Sequence, residues 1–516
     1  MVGGVLQNAG MSENPVVARP RLAAVNRRQM VMRAIDVERL IEEDHPARAL
    51  WVLVGRLDLS GYYAGIAAVE GRQGRDHTDP QVLISLWLYA YSRGISSARE
   101  VARRCEYEPA FAWLCGLEPI SHRTLSGFRS GHAAALQDLF VQVLGMLSAE
   151  GLITLERVTL DGTKVKANAG GNTFRRQEKL AAHLELACEQ VRLMEEEAAQ
   201  EEQMARRQVA ARRRAARQRQ SRLEAALHEV ERLQGEKKED RGSFLARASS
   251  TDPEAHVMRN GEGGTVPSYN VQLLTDMTHG LIVNVEATTD AVDHHQLGPA
   301  LKRCAQTLGR LPQQVVADGD YTNHASVGAA ADCGVDFYGS WPASWKPGER
   351  DGQGRGGAFL GSAFPYDAEQ DCFTCPAGKS LTSQTVQQRV NGIRLHFYRA
   401  PREACRECGL RSQCAPPQAR AQWVRSLART EEPATTLAFK AKMATAVAQK
   451  LYGERSRVAE FPHAWIKERC GLRQLRCRGR LKATLEATWA ALSYNLIRWF
   501  AITRRATFTP AALAAA

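Results

Sequence analysis

The sequence lacks long apolar segments. No segment of the 516 residues approaches the roughly 20 uninterrupted apolar residues that a membrane-spanning helix needs, which excludes such a helix. The first residues also lack the charged-then-apolar order of a secretory signal peptide. We therefore expect a cytoplasmic protein, in which the 12 cysteines are reduced thiols or metal ligands rather than disulfides.

Acidic residues are fewer than basic ones. The chain has 68 Lys and Arg against 56 Asp and Glu, which gives a formal net charge of +12 at pH 7. A basic excess favours an anionic partner, most often nucleic acid, although a host proteome that is basic throughout is the alternative. At this length the chain can form two or three domains with a sizeable core.

The N-terminal part is predicted to be a helical domain behind a flexible leader. Residues 1–30 are small, polar and without pattern, whereas 31–150 contain apolar residues at helical spacing and a capping box at Ser97-Ala-Arg-Glu100. The order of helices ends in a short basic segment, which is the outline of a helix-turn-helix. An ordinary helical bundle is the alternative. We favour a DNA-binding domain because arginines cluster there, namely Arg99, Arg103, Arg104, Arg123 and Arg129.

From Leu155 onward, strand patterns alternate with helix patterns, which indicates an α/β domain. We assign it residues 151–173, 241–344 and 426–505, with helices as a closing layer at the end and a tail at 506–516. The predicted strands are Val158–Asp161, Tyr269–Asp276, Leu281–Val285, Gln314–Asp318 and Val335–Tyr338, and the predicted helices are Leu297–Leu308 and His324–Asp332.

A long helical insertion interrupts this domain. Residues 174–240 contain no proline and are dense in Glu, Arg, Ala and Gln. This composition favours a long exposed helix or a helical hairpin, in which acidic and basic blocks could pair. A solvated helix without a function and an interface between protomers are both open readings of this segment.

A second insertion, at 345–425, is rich in Gly, Pro and Cys. It contains Cys372-x2-Cys375 and Cys405-x2-Cys408, with Cys414 close behind, a spacing that indicates a structural zinc site. Four thiolates are needed and five are present. We prefer Cys375, Cys405, Cys408 and Cys414, because Cys375 precedes a tight Pro-x-Gly turn. Free thiols in a loop are the alternative.

Three acidic residues are candidates for phosphodiester chemistry. Asp161 and Asp318 each end an apolar strand pattern, and Glu460 lies in a basic segment. Two Mg²⁺ ions roughly 3.5–4 Å apart can activate the attacking oxygen and stabilise the leaving oxygen of a phosphodiester, and Mg²⁺ prefers carboxylate ligands. Aspartates at the ends of neighbouring strands, with a glutamate on an adjacent helix, can form such a site.

Each of these residues has an alternative. An aspartate that ends a strand is often a turn former or a helix cap. Asp320 competes with Asp318, which we prefer because it directly follows the apolar run. Glu454 and Glu468 compete with Glu460, and the residue pattern alone leaves that choice open.

Several segments together resemble bacterial DDE insertion-sequence transposases. Tyr452-x2-Arg455-x4-Glu460-x6-Lys467 resembles their Tyr-Arg-Glu-Lys signature, and Leu160-Asp-Gly-Thr and Ala317-Asp-Gly-Asp-Tyr321 resemble the segments around their two aspartates. The second of these departs from the usual Ala-Asp-x-Gly-Tyr order. The N-terminal part, from Asp44 to Arg129, is similar to the helical domain that precedes their catalytic core, and the Cys-rich insertion is similar to one in a subset of them. The resemblance covers about residues 28–500.

The resemblance implies an RNase H-like catalytic core with a preceding all-α domain and the two insertions. It implies that Asp161, Asp318 and Glu460 bind two Mg²⁺ ions, with Mn²⁺ as a substitute, and that Tyr452, Arg455 and Lys467 position the phosphates of the transposon end. Helical spacing agrees, since Lys467 lies two turns from Glu460 on the same face. Pro462 also suits a first helical turn, which predicts that Glu460 lies near a helix N-terminus or a kink.

The implied activity is binding of terminal inverted repeats, DNA cleavage and strand transfer by a protein that oligomerises on DNA. Two alternatives remain. One is a DNA-binding derivative without catalysis, which the presence of all three carboxylates disfavours. The other is a nuclease that cleaves DNA without strand transfer.

Overall fold

The computed structural model describes most of the chain, and every statement below concerns these residues. They are 28, 30, 32, 34–68, 76–197, 206–238, 246–261, 264–341, 359, 363–388, 394–416, 419–420 and 422–503. The predicted leader is described only at Arg28 and Met30, and the predicted tail lies outside the described residues.

The N-terminal region consists of short helices whose starts are encoded locally. Asp79, Ser97 and Ser121 each accept a hydrogen bond from a backbone N–H in the first turn of the helix that they precede. The helices follow a 3-10 turn at Val37–Leu40 and are α1 (Pro46–Val54), α2 (Ser60–Tyr63), α3 (Pro80–Ser92), α4 (Ala98–Tyr107), α5 (Pro109–Leu114), α6 (His122–Gly131) and α7 (Ala133–Ala149).

The central sheet is mixed. Its middle strand β1 is antiparallel to β5 on one side and parallel to β7 on the other, and β8 continues the parallel side. Both β4 and β6 pair with the other edge of β5, and the short strands β2 and β3 form a separate ribbon. The strands are β1 (Arg157–Lys166), β2 (Phe174–Arg175), β3 (Ala248–Ser249), β4 (His256–Arg259), β5 (Thr265–Asp276), β6 (Leu281–Thr288), β7 (Gln314–Ala317) and β8 (Asp336–Gly339).

Between β2 and β3 the chain forms a helical hairpin of α8 (Gln177–Glu197) and α9 (Arg206–Lys238). The two helices are antiparallel, because Gln177 contacts Glu231 and Glu195 contacts Arg217. They bury a small apolar cluster of their own, which includes Leu180, Ala187, Leu223, Ala226 and Val230.

Two helices follow the central strands. α10 (Leu297–Leu308) comes after β6, and α11 (His324–Asp332) lies between β7 and β8. Both have the bounds that the sequence predicts. Asn323 begins α11 by accepting a hydrogen bond from the N–H of Ser326, and Gly309 ends α10 in the left-handed conformation.

The Cys-rich segment forms a second, antiparallel sheet with its own apolar core around Phe364, Leu381 and Tyr398. Its last strand extends to Glu431, so the insertion ends there and not at residue 425 as predicted. The strands are β9 (Tyr366–Asp367), β10 (Cys372–Thr374), β11 (Ser380–Gln388), β12 (Arg394–Arg399) and β13 (Ser426–Glu431), and the β12–β13 connection contains α12 (Arg402–Arg406) and α13 (Arg411–Cys414).

The chain ends in α14 (Ala434–Met443), α15 (Ala446–Gly453), α16 (Ser456–Glu468) and α17 (Arg480–Ile502). Pro462 lies inside α16 and not in its first turn, whereas Glu460 is the fifth residue of that helix and so lies near its N-terminus, as predicted. α17 lies between β6 and α3: the Asn495 side chain bonds the backbone of Ile282 in both directions, at 2.8 and 2.7 Å, and Ser493 donates to Leu88 O. No described helix is both long and apolar enough to cross a membrane.

A buried arginine joins the N-terminal helices to α17. Arg129 is only 3% exposed, its guanidinium donates to Ser96 O at 2.5 Å, and it lies 3.5 Å from the Glu486 carboxylate and over the Trp87 ring. The prediction that Arg129 contacts DNA is therefore wrong for this structure. An ion pair can be buried when hydrogen bonds offset the cost of removing it from water, and here both terminal nitrogens of Arg129 are bonded while its Nε has no partner among the described residues.

Candidate active site

Asp161 and Asp318 lie side by side because β1 and β7 are neighbouring parallel strands. Leu160 of β1 is in register with Ala317, the last residue of β7, so each aspartate comes one residue after this pair. The prediction that Asp161 ends a strand is wrong, because β1 continues to Lys166 by pairing with β5 along its whole length. The two carboxylates therefore meet where β7 ends and β1 continues.

Asp318 is held by the turn that follows β7. Its side chain accepts a hydrogen bond from the N–H of Asp320 at 2.9 Å, and its backbone carbonyl accepts one from the Thr322 hydroxyl at 3.1 Å. Asp320, the alternative candidate to Asp318, is exposed and lies two residues further along the chain. Asp318 is thus both a local cap and the neighbour of Asp161.

Burial and charge repulsion perturb both carboxyl groups. Burial and the nearby Asp318 raise the pKa of Asp161 to about 7, against opposition from Arg455. Burial also raises the pKa of Asp318, with Asp320 and Asp293 adding to the shift and Arg455 opposing it. Two largely buried carboxyl groups that repel each other form a site that a cation would stabilise.

Asp293 is a third carboxylate beside this pair, and it was not among the site residues predicted from the sequence. Its charge contributes to the raised pKa of both Asp161 and Asp318. The amide groups of Asn270 and Gln272 each donate to its Oδ1 at 2.6 Å, and Lys164 lies 3.3 Å from its Oδ2. Since its neighbours come from β5 and β1, only the folded sheet brings Asp293 to the site.

Gly162 makes room for this network. A Cβ atom at that position would lie 2.4 Å from Gln272 Nε2, 2.7 Å from Asp293 Oδ1 and 2.9 Å from Asn270 Oδ1. Any side chain larger than hydrogen would therefore displace the groups that hold Asp293. The glycine of the Asp161-Gly162 pair is a steric requirement of the site.

α16 covers Asp161 with one cation and one neutral ring. Arg455 Nη1 lies 3.8 Å from Asp161 Oδ2, and His463 Nε2 lies 3.7 Å from the same atom. Burial, with Lys467 nearby, lowers the pKa of His463 to about 3, so its imidazole is neutral at pH 7. The buried Nδ1 of His463 has no hydrogen-bond partner among the described residues.

Glu460 lies on the same helix but is not gathered with the aspartates. It is exposed, and it lies roughly 100° around the helix from the midline between Arg455 and His463. Among the described residues, no group of three or more His, Cys, Asp or Glu side chains is placed to hold a metal ion. The structure brings Asp161, Asp318 and Asp293 together and leaves Glu460 at the rim.

The remaining predicted site residues occupy different positions. Tyr452 is in the last turn of α15 and partly buried, and Lys467 is in the last turn of α16, one turn after His463. Arg123 is exposed on α6 of the N-terminal region. Tyr452, Arg455 and Lys467 therefore belong to the two helices beside Asp161, whereas Arg123 belongs to another surface.

A cavity of about 650 Å³ lies at the opposite end of β1 and β7. Its wall includes Arg157, Gln314, Arg457, Phe461 and Arg498. Arg157 and Gln314 are the first residues of the two strands, whereas Asp161 and Asp318 lie toward the other end. This cavity is therefore separate from the carboxylate site.

Two family models match the chain. Residues 374–500 match the model described as "Transposase DDE domain", and residues 35–131 match the model described as "Transposase domain (DUF772)". No curated protein matches the chain. The two matches indicate an insertion-sequence DDE transposase. A DDE domain supports a nucleotidyl-transfer enzyme that acts on DNA.

The DDE match implies an RNase H-like core. The structure has a mixed sheet around β1 with helices beside it, but the strands of that sheet lie before the matched residues 374–500. Of the three candidate carboxylates, only Glu460 lies in a matched segment. The roles of Asp161 and Asp318 rest on their place in the sheet.

Proposed function

We propose that the protein binds the terminal inverted repeats of its insertion sequence, cleaves DNA at the element ends and joins the freed ends to target DNA. The observation that carries this proposal is the adjacency of Asp161 and Asp318 on parallel strands, with the raised pKa values that their proximity and burial cause. Neighbouring acidic side chains on a rigid sheet suit phosphoryl transfer with divalent ions.

The donor set fits Mg²⁺, with Mn²⁺ as a substitute. Carboxylate oxygens are the ligands that Mg²⁺ prefers, and Asp161 and Asp318 present them without intervening hydrogen bonds to other side chains among the described residues. Bound ions would stabilise the charge that develops on the attacking and leaving oxygens. Glu460 would complete the set by turning its side chain from the rim of α16 toward Asp161.

Residues of α15 and α16 would position the DNA. Arg455 is adjacent to Asp161 and 18% exposed, so it can reach a phosphate next to the carboxylates. Lys467 and Tyr452 lie on the same two helices and would hold the phosphates to either side. His463 is neutral and buried, and we assign it the role of setting the position of the Asp161 side chain.

The test is cleavage of transposon-end DNA by single variants. Asp161→Asn, Asp318→Asn and Glu460→Gln should each reduce cleavage in Mg²⁺ by roughly 1,000-fold or more, while end binding measured by fluorescence anisotropy stays near the parent value. Asp320→Asn is the matched control and should keep most activity. Parent-like cleavage by both aspartate variants would remove the proposal.

Strand transfer separates this function from its alternatives. With precleaved ends and a target plasmid, a transposase joins the 3′-hydroxyl ends to the target, whereas a nuclease gives hydrolysis products only. A DNA-binding derivative gives neither product. End binding should weaken steeply with salt in every case, because phosphate contacts release counterions.

We also propose that the N-terminal helices contact DNA through α6. Arg123 is exposed on this helix and has no carboxylate partner among the described residues, whereas Arg103 and Arg104 are already paired with Glu100. Synapsis of two ends further requires more than one protomer on DNA. Analytical ultracentrifugation with and without end DNA tests that part: a complex that stays monomeric on DNA contradicts it.

A structural zinc site in the small sheet is a separate proposal. The thiols of Cys375, Cys405, Cys408 and Cys414 line one small enclosed cavity, whereas the fifth, Cys372, is buried in β10. The N–H of Lys379 donates to Cys375 Sγ at 3.3 Å, and Gly378 turns the chain at a φ of 70°, which is the local geometry of a metal knuckle. Among the described residues these thiols are not placed to coordinate an ion, so metal binding would require them to move.

The zinc proposal is tested by metal analysis of the protein purified under reducing conditions. We expect about one zinc per chain, retained in Cys372→Ser and lost in Cys405→Ser. Absence of zinc in the parent, or equal zinc in both variants, contradicts the proposed ligand set. The catalytic proposal is unaffected by either result.

A further inference from the structure

The middle of α9 is strongly basic. Residues 212–222, which we call the arginine segment, contain six arginines and no Asp or Glu: Arg212, Arg213, Arg214, Arg217, Arg219 and Arg222. The segment lies within the helical hairpin, outside both the carboxylate site and the matched family segments. Such a density of one charge on one helix calls for partners that neutralise it.

The hairpin itself supplies little of that neutralisation. Within the described residues, Arg217 is the member of the segment with a carboxylate partner, Glu195 at 2.5 Å, and both side chains are exposed. Other arginines of the hairpin differ: Arg192 bonds Glu189 and Glu196, and Arg232 bonds Glu229 and Glu236. Among the described residues, the hairpin pairs arginines where glutamates are present, and Glu195, which bonds Arg217 and also lies near Arg213, is the carboxylate beside the arginine segment.

One side of the segment forms a concave, purely basic surface. A cavity of about 460 Å³ is lined by Arg213, Arg214 and Arg217, with Ala210, Gln218 and Ser221, and no acidic residue contributes to its wall. The Nε of Arg213 is buried without a hydrogen-bond acceptor in the described structure. An unpaired guanidinium donor in a basic depression is a site for an anion, and Arg favours phosphate oxygens.

A second side of the segment faces the catalytic core. Arg222 is close enough to Arg478 and Arg219 that burial and these like charges lower its pKa, and its Nε also has no acceptor. Arg478 lies in the turn before α17 and donates to Asn168 O at 3.2 Å, just beyond the end of β1. Arg222 of the hairpin and Arg478 of the core therefore place positive charge on both sides of this junction.

The length of β1 gives the distance between Asp161 and this positive surface. Asn168 is seven residues after Asp161, and at roughly 3.3 Å per strand residue the separation is about 23 Å. Duplex DNA advances about 3.4 Å per base pair along each strand, so the surface begins about seven base pairs from a phosphodiester held at Asp161. A polyanion with regularly spaced charges is the partner that can contact both places at once.

We propose that the arginine segment binds the phosphodiester backbone of the duplex that flanks the reacting phosphodiester. This inference rests on the proposed function, since it takes the substrate to be DNA bound at Asp161. The contacts are to phosphates and carry no sequence information of their own. They add affinity and fix how the end enters the site.

The experiment compares two charge-matched double variants, Arg213→Gln/Arg214→Gln in the arginine segment and Arg192→Gln/Arg232→Gln at paired positions. Each removes two positive charges from the hairpin. Binding is measured by fluorescence anisotropy over a range of KCl, on a duplex that extends about 25 base pairs into the element and on one that extends about 5 base pairs.

For the arginine-segment variant on the long duplex, we expect the slope of log K against log salt to fall by roughly 2 and affinity to fall roughly tenfold. The short duplex should be bound and cleaved as by the parent, and the paired-position variant should match the parent on both. Circular dichroism establishes that both variants keep the hairpin.

Other outcomes overturn the inference. If both variants lost the same affinity for the long duplex, the effect would come from the net charge of the protein and not from the arginine segment. If the arginine-segment variant bound the long duplex as the parent does, the segment would not contact DNA. Loss of self-association with DNA binding intact would assign the segment to an acidic protein surface instead. If the parent binds and cleaves end DNA while this prediction fails, the proposed function stands; if the parent does neither, both fall.

Discussion

Leu160 of β1 and Ala317 of β7 are paired in register on parallel strands, so that Asp161 and Asp318 each follow by one residue and lie next to each other. This relationship is independent of the side-chain conformation of either aspartate. It explains why two acidic residues far apart in sequence repel each other in the folded protein. The predictions below follow from this pair and its surroundings.

Replacing Asp161 should change how stability depends on pH. Its pKa is about 7 in the folded protein against 3.8 for an unperturbed aspartate, so the folded state binds the proton more tightly. Between these pH values the free energy of unfolding therefore falls as pH rises, by up to a few kcal/mol. The Asp161→Asn variant does not have this loss of stability. In EDTA, its urea unfolding midpoint should therefore equal that of the parent at pH 4 and exceed it at pH 8.

Urea unfolding at both pH values checks this prediction, and the difference between parent and variant isolates Asp161 from the other titrating groups. A variant that is less stable than the parent at pH 8 would mean that Asp161 is stabilised as the anion, contrary to the geometry.

Asp293→Asn should reduce end cleavage by roughly tenfold to 100-fold with little effect on DNA binding. Asparagine can still accept from Asn270 and Gln272, but its NH2 group would face the Lys164 ammonium, which now lies 3.3 Å from a carboxylate oxygen. Single-turnover cleavage measures the effect. Asp290→Asn, on the same loop but away from the aspartate pair, is the comparison, and equal losses in the two variants would deny Asp293 a special role.

Gly162→Ala should destabilise the protein by about 1–3 kcal/mol. The added methyl would lie within 3.0 Å of three polar atoms of the Asp293 network, which would have to move. Gly145→Ala in α7, where a Cβ meets nothing within 4 Å, should be neutral or stabilising by about 0.4–1 kcal/mol. Chemical unfolding of both variants gives the comparison, and similar free energies would contradict the close approach at Gly162.

Alanine variants of Arg129 and Arg123 should have opposite effects on stability and on DNA binding. Arg129→Ala leaves Glu486 buried without its cation and should cost about 3–5 kcal/mol of stability, without a change in DNA affinity for the fraction that remains folded. Arg123→Ala should leave stability within about 0.5 kcal/mol and weaken end binding. Thermal unfolding and anisotropy on the same samples measure both effects. Weaker DNA binding by folded Arg129→Ala alone would reverse the assignment.

The sequence predicts the layout of the core because periodicity is local. The bounds of α10 and α11 agree with the predicted ones, and the predicted strands all correspond to strands of the sheet, although β1, β5 and β6 are longer and β7 ends one residue earlier. The end of β1 was missed because pairing with β5, and not the residue pattern, extends it to Lys166. The burial of Arg129 was missed because its carboxylate partner lies more than 350 residues later in the chain.

The site residues also divide into those that local sequence patterns predict and those that only long-range contacts bring together. Asp161 and Asp318 are recognisable from the strand patterns before them, whereas Asp293 becomes part of the site only through Asn270, Gln272 and Lys164. His463 likewise contacts Asp161 through helix packing that no sequence spacing encodes. The aspartate followed by two histidines at 293–295 was a local signal for this loop, but it did not indicate which carboxylate it would join.

The most direct test of the account is Mn²⁺ binding to the protein in complex with precleaved end DNA, followed by electron paramagnetic resonance. The parent should bind Mn²⁺ tightly, and Asp161→Asn and Asp318→Asn should each weaken that binding by at least about tenfold while the DNA remains bound. Parent-like Mn²⁺ affinity in both variants would show that the Asp161–Asp318 pair is not the metal site, and would contradict the central claim.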